Sequence, residues 1–319
     1  MKKEKITTYP NKVRIPKYLD KEKGRQILVY NKMTLSSKLL EQGIIRLPKS
    51  NLEFRTKREK DLSQVRIVPK NGYIVIEVIY EVQEILKENN GRYLSIDLGI
   101  SNLATCSSNV IEPFIIDGKK IKSINHFYNK KTSLLKTKLS KNQYSSKRIK
   151  HLTYKRNQKI KWLFHNISKY IVNQAVSNSL NTIVIGYNKE WKQEVNLGKV
   201  NNQNFVEIPY SILIQMISYK AKLQGIQVFL QEESYTSKAS FLDKDNIPEK
   251  FTKSFKPSGE RKQRGLYSSP KGLLNADVNG SLNILRKFLK CNSDVLLEPA
   301  DMSHVDWPER IKNPQRVLF

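Results

Sequence analysis

Cysteine is nearly absent from this 319-residue chain, with Cys106 and Cys291 the only two. Two distant thiols cannot form a disulfide framework, and they fall short of the four ligands of a structural zinc site. The histidines, His126, His151, His165 and His304, are scattered and do not fill the gap. No apolar run approaches the roughly 20 residues that span a bilayer. The opening MKKEKITTYP also lacks the apolar core of a signal peptide. A cytoplasmic, nucleoid-associated protein with no membrane partner is expected. Acid is the other shortage. Lys and Arg number 57 against 29 Asp and Glu, a net charge of +28. From Gly118 through Lys189 there is no Asp or Glu at all, against seventeen Lys or Arg.

So long an uncompensated stretch repels itself unless a polyanion neutralises it, which points to nucleic acid. The candidate contacts are Lys130, Lys131, Lys147, Arg148, Lys150, Lys155, Arg156 and Lys159. A second basic patch contains Arg261, Lys262 and Arg264. Phe251, Phe255 and Tyr267 are interleaved there, and could stack on unpaired bases or pack the loop onto its domain. Contacts of this kind position a backbone and do not read its sequence.

Residues 1–60 are basic and polar without a strong period. Residues 64–82 read as two β-branched strands joined at Asn71-Gly72, a hairpin signal. After a polar linker, strands are predicted at Tyr93–Asp97, Leu103–Cys106 and around Phe114–Ile116. Residues 126–180 are predicted helical, with Ile160, Leu163, Phe164, Ile167, Ile171 and Ala175 forming one apolar stripe. A strand at Thr182–Ile185, an amphipathic helix from Tyr210 to Ala221 closed by Gly225, and a strand at Gln227–Gln231 follow as a parallel βαβ unit. Residues 234–275 read as a basic loop, Asp277–Lys290 as the last helix, and 291–319 as a tail with no legible chemistry.

Two stretches carry the chemistry. In Tyr93-Leu-Ser-Ile-Asp97-Leu-Gly99 a buried strand ends in a carboxylate, and in Asn275-Ala-Asp277-Val-Asn279 a carboxylate opens a helix. An RNase H-like α/β fold uses this pairing to bring acids to one sheet edge. Two-metal phosphodiester cleavage needs several such carboxylates, and Mg²⁺ suits a site with few protein ligands. Taken singly, Asp97 could cap a turn and Asp277 could cap its helix.

The segments Asp97–Thr105, Ser234–Ser240 and Asn275–Ile284 resemble the TnpB (OrfB) proteins of insertion sequences, in the right order and over roughly residues 40–290. That resemblance implies an RNA-guided DNA endonuclease with a RuvC-like nuclease domain at 91–290. It implies a partial β-barrel, wedge-like RNA-binding region at 1–90. The implied partners are a guide RNA from the transposon end and a double-stranded DNA target, with two Mg²⁺ ions as cofactor. Asp97 and Asp277 match the first and third catalytic acids.

The chain departs from the pattern in three places. Where most relatives carry the middle catalytic Glu, after Thr182–Ile185, stands Gly186. Neighbouring strands are about 4.8 Å apart, so Glu232 or Glu233, at the end of the next strand, is expected to supply that acid. Adjacent strand residues point to opposite faces, so only one of the two should. The cysteines of the family's zinc ribbon are missing from 234–275, so no structural zinc is expected. The N-terminal recognition region looks shortened. Those departures keep a second reading open, a cleavage-deficient RNA-guided DNA-binding protein acting as repressor or transposition regulator. A DNA-strand transposase is a weaker third.

Overall fold

In the computed structural model the residues described are 26–57, 60–70, 73–83, 85, 87–188, 208–249, 254–263, 265–292 and 313–319. They divide into two compact units, Met1–Val82 and Gln83–Phe319.

In the first unit, β1 (Leu28–Asn31) and β5 (Tyr73–Tyr80) pair antiparallel to either side of β4 (Leu62–Lys70). The strands flank the Asn71-Gly72 dipeptide as the hairpin signal requires, and the dipeptide itself lies outside the described residues. A short helix α1 (Ser37–Glu41) and the pair β2 (Ile44–Arg46) and β3 (Glu53–Arg55) occupy the stretch that showed no period. Leu35, Leu40, Ile45, Leu47, Leu62 and Val65 form their core.

The second unit is built on a mixed six-stranded sheet. Its strands are β6 (Tyr93–Leu98), β7 (Asn102–Ser108), β8 (Phe114–Asp117), β9 (Thr182–Tyr187), β10 (Gln227–Glu232) and β14 (Gln315–Val317). Their spatial order is β10-β9-β6-β7-β8-β14. β7 runs antiparallel to both β6 and β8, and β9, β10 and β14 join in parallel. β6 is central and covered on both faces, which is why its sequence is almost continuously apolar.

Alternation along β6 sorts what covers it. Leu94, Ile96 and Leu98 join the large core formed with α3 (Lys147–Ser177) and α4 (Tyr210–Lys222). Burying each Leu or Ile there is worth about 1.5–3 kcal/mol. Tyr93 belongs instead to the core formed with α5 (Ala276–Cys291) through Ile284, Leu285 and Phe288. Asp97, two pairs further along β6, therefore faces α5.

Helix α3 starts where Ser146 accepts a hydrogen bond from the Ile149 amide, and its apolar stripe is the one expected. The preceding helix α2 (Lys119–Lys136) begins seven residues earlier than the helical stretch read from the sequence. After α4 the chain turns through Gly225 at φ +74°, a left-handed conformation that suits glycine.

The stretch 234–275 is not simply a loop. It contains a three-stranded antiparallel sheet of β11 (Glu260–Gln263), β12 (Leu266–Ser269) and β13 (Gly272–Asn275). The turns before it are tied to α5 by side-chain amides. Asn279 donates to the Ala239 carbonyl at 2.8 Å and accepts from the Phe241 amide at 2.9 Å. Asn283 donates to the carbonyls of Thr236 and Ala239. The last residues are no free tail either, because β14 forms the edge of the main sheet.

Candidate active site

Three elements deliver three carboxylates to one end of the sheet. Asp97 is the penultimate residue of β6. Asp277 is the second residue of α5, whose N-terminus is capped by Asn275 rather than by Asp277 itself. The Asn275 side chain accepts from the Asp277 and Val278 amides. Glu233 follows β10 directly. Burial, then the charge of Glu233, then that of Asp277 push the Asp97 carboxyl well above the usual carboxylate range, and Arg261 offsets this only in part. Burial and the nearby Asp97 charge likewise push up the phenol of Tyr210, whose hydroxyl donates to the Gly99 carbonyl at 2.8 Å.

The two glutamates diverge. Glu232 accepts a hydrogen bond from the Lys287 ammonium at 2.5 Å and further ones from the Ser234 amide and hydroxyl. Burial acts to raise its pKa, but these bonds outweigh it and hold the carboxyl below the usual range. Glu233 turns the other way. Its Oε2 lies 2.9 Å from the point a Cβ on Gly186 would occupy. Register explains the meeting: Ile96 lies beside Ile185 and Gln231 beside Gly186, so Gly186 is level with Asp97 on the strand between β6 and β10. On the other side, a Cβ on Gly280 of α5 would come within 2.9 Å of Asp97 Oδ2. Two missing side chains make the room in which the acids approach.

Asp97 and Asp277 line a cleft of ≈ 740 Å³ together with Asn102, Lys119, Lys122, Arg261 and Arg316. Asp277 is held from two directions: Asn102 donates to Oδ2 at 2.5 Å and Arg261 to Oδ1 at 3.2 Å. Among the described residues no three His, Cys, Asp or Glu side chains are gathered tightly enough to hold an ion as they stand. The guanidinium of Arg261 supplies the positive charge at Asp277.

The basic residues separate into groups. Lys130 and Lys131 on α2, and Lys147, Arg148, Lys150, Lys155 and Lys159 on α3, are exposed. Arg156 is half-buried, bonded to Asn125 and lying over the Tyr128 ring at 5.5 Å. Arg261 and Lys262 are exposed on β11, whereas Arg264 lies outside the described residues. Tyr267 corrects the expectation of a stacking aromatic. It is fully buried against Phe241 and Leu274, and its hydroxyl donates to the Lys238 carbonyl, so no base can reach its ring. Phe255 packs edge-on against Tyr235, and Phe251 lies outside the described residues.

Sequence reading missed Asn102, Lys119, Lys122 and Arg316 as lining residues. Lys119 and Lys122 sit in the acid-free stretch but carry no motif. Arg316 arrives from a strand of three residues.

This architecture defines a class: an α/β protein whose mixed sheet gathers acids at one edge of a cation-lined cleft. The family model OrfB_IS605, described as probable transposase, matches residues 77–192 and so includes Asp97. The Cas12f1-like TNB domain matches 210–284, which includes Glu233, Arg261 and Asp277. The two matches support a resemblance of this chain to TnpB-like proteins. No curated protein matches the sequence. Among solved structures it is similar to the protein of a cryo-EM Cas12f1–sgRNA–target DNA complex, at 18% identity and TM-score 0.48, covering 70% of this chain and 45% of that one. It is also similar to the mini-RNA-guided endonuclease CRISPR-Cas_phi3, at 13% identity and TM-score 0.45, covering 95% of this chain and 64% of that one. The chain thus spans about half to two thirds of the length of these structures.

The crowding of acids has a measurable consequence. A carboxyl whose pKa is raised by folding contributes stability below its unfolded pKa and loses it as pH rises through the folded pKa. At neutral pH the Asp97 carboxyl is therefore a penalty. Asp97→Asn is expected to raise the Tm of the metal-free protein at pH 7 by about 2–4 °C per kcal/mol relieved. The gain should shrink as pH falls towards the ordinary Asp value of 3.8. Thermal scans in EDTA at pH 7 and pH 4.5 check it. A less stable variant at pH 7 would contradict this account of the site.

Proposed function

We propose that this chain is an RNA-guided DNA endonuclease of transposon origin, built on an RNase H-like (RuvC) sheet with a barrel-like RNA-binding region in front. The observation that carries the reading is the convergence of Glu233 and Asp277 on Asp97, with Asp97 and Asp277 lining a cleft that also holds cations, in a chain that resembles TnpB-like proteins.

The donor set fits divalent metal. All three groups are carboxylates, the hard oxygen ligands Mg²⁺ prefers. Burial, and then their mutual repulsion, raises the Asp97 pKa, and a guanidinium already stands against one of them. Asp97, Glu233 and Asp277 would hold two Mg²⁺ ions. Metal held by these carboxylates would supply Lewis-acid chemistry, namely a more acidic water and stabilisation of developing charge on oxygen. The chain's own residues do the rest. Asn102 orients Asp277 through its amide, leaving Oδ1 to face Arg261. Lys119 and Lys122 line the cleft and meet phosphates of the strand that enters it. The exposed cations of α2 and α3 hold the backbone of a guide RNA–DNA heteroduplex, in which base pairing reads the sequence.

The partners are a guide RNA from the transposon end and double-stranded target DNA. The protein works without structural zinc in 234–275, at the nucleoid in the cytoplasm. The Asn279 and Asn283 amide bonds give that region its support. Two observations favour the cleavage-deficient reading: Arg261 occupies Asp277 Oδ1, and among the described residues the acids stand apart from a ready-made metal geometry.

The test is to express the chain with its native flanking DNA, sequence the RNA that copurifies, and assay cleavage of the matching target in Mg²⁺ against EDTA. One abundant RNA ending at the element's boundary, with cleavage only in Mg²⁺, is expected. The same RNA with tight target binding but no cleavage would establish the repressor reading instead. Mixed cellular RNA, stripped by moderate salt, would overturn both.

A further inference from the structure

The most informative residue outside the described acids is Arg316. It lies on β14, which adds to the sheet edge by parallel pairing, with Arg316 beside Ile115 of β8. The strand is fixed beyond those hydrogen bonds. Phe319 packs edge-on against Tyr170 with ring centroids 5.7 Å apart, and Lys120 donates to the Phe319 carbonyl. A side chain carried by so anchored an edge is held in position, although it is half-exposed.

Arg316 reaches into the ≈ 740 Å³ cleft that Asp97 and Asp277 line. There its Nη1 donates to Asn102 Oδ1 at 3.1 Å and lies 3.6 Å from Asp117 Oδ2. Asn102 passes the contact on, donating its Nδ2 to Asp277 Oδ2. Lys119 stands on the same wall, 3.7 Å from Asp117 Oδ2, and Lys122 donates to Ser101 nearby. Lys119 and Arg316 share one buried carboxylate and Lys122 stands nearby, so this part of the lining is positive while Asp97 and Asp277 supply the acids. A substrate strand carries charge that matches the first and chemistry that concerns the second. A planar guanidinium presents paired donors in the spacing of two phosphate oxygens.

We propose that Arg316, with Lys119 and Lys122, forms a phosphodiester-binding subsite for the DNA strand entering the cleft. Arg316 acts as a positioning residue, holding a phosphate next to the one to be cut and steadying Asn102 against Asp277. The subsite rests on the endonuclease reading for its place in a reaction, but the binding it predicts is measurable without one.

The experiment uses the full chain in EDTA and a labelled 12-nucleotide oligothymidylate, titrated over a range of KCl concentrations with wild type, Arg316→Ala and Arg316→Lys. Losing one phosphate contact on a single strand is expected to reduce the slope of log affinity against log salt by about 0.7. Arg316→Ala should show that reduction and weaken binding about 5- to 10-fold at low salt, near 1 kcal/mol. Arg316→Lys should keep the slope, because a point charge still meets the phosphate. The Tm of both variants should stay at the wild-type value. In Mg²⁺ with a guided target, Arg316→Ala should raise KM more than it lowers kcat. Wild-type affinity and slope in Arg316→Ala would overturn the subsite. So would an equal loss in Arg316→Lys accompanied by a lower Tm, since that is the mark of a residue that only ties β14 down. A wild-type protein that never cuts defeats the endonuclease reading alone, because the salt slopes still report on Arg316.

Discussion

Glu233→Gln is expected to lower Mg²⁺-dependent cleavage to the level of Asp97→Ala, while Glu232→Gln keeps cleavage within a few-fold of wild type. A metal-held transition state is worth several kcal/mol, and each ~1.4 kcal/mol is tenfold in rate, so the Glu233 loss should be at least about 10³-fold. The two residues are neighbours, yet their surroundings differ in kind. The Glu233 carboxylate lies against Gly186 and raises the pKa of Asp97. Glu232 is paired with Lys287, whose side chain is only 2% exposed. Removing the Glu232 charge leaves that buried ammonium without its counter-charge, with neutral acceptors alone around it: the new amide oxygen and the Ser234 carbonyl and hydroxyl. The cost should appear in stability, at about 1–3 kcal/mol.

The pH dependence separates the two roles further. The folded pKa of Glu232 is depressed, so its contribution is present above the unfolded carboxyl value near 4.5 and is lost as pH falls through the folded one. The stability gap between wild type and Glu232→Gln should therefore be full at pH 7 and close in acid. Chemical denaturation at pH 7 and pH 3, beside single-turnover cleavage of both variants, measures this. Equal cleavage by wild type and Glu233→Gln would remove Glu233 from the site.

Much of this was legible because the central elements obey strong periods. β6 and β9 are buried at all but one residue each and read as short apolar runs, while α3, α4 and α5 carry stripes at helical spacing. The acid-bearing ends of β6 and α5 followed directly. The rest depended on information that no local pattern contains. β11 is the sequence Glu-Arg-Lys-Gln with all four residues exposed, so neither alternation nor apolar content marks it as a strand. β14 is three residues long and is made a strand only by β8. Tyr267 in a basic stretch resembles a stacking residue until the Lys238 carbonyl is found at its hydroxyl. Alternation said that Glu232 and Glu233 must diverge. Which of them turns inward was decided by Lys287, more than fifty residues away, and by the space above Gly186.

That space carries the second large expectation. Gly186→Ala should reduce cleavage at least about 10²-fold, more than its cost in stability of about 1–3 kcal/mol would suggest. The added Cβ would lie 2.5 Å from Ile284 Cδ1 and 2.9 Å from Glu233 Oε2. Ile284 is fully buried in the core beneath α5 and has little room to move, so the Glu233 carboxylate is the group that yields. On this account Gly186 and Glu233 form one unit: the strand end that lacks an acid admits the acid of its neighbour. The resemblance to TnpB proteins places a Glu at position 186 in most relatives, which makes the exchange testable in both directions. Gly186→Glu alone should be inactive, with two carboxylates forced into one space. Gly186→Glu combined with Glu233→Gly should recover activity well above either single variant. Single-turnover rates of the four proteins form the cycle, and independent, additive losses from the two substitutions would show that the positions do not share a site.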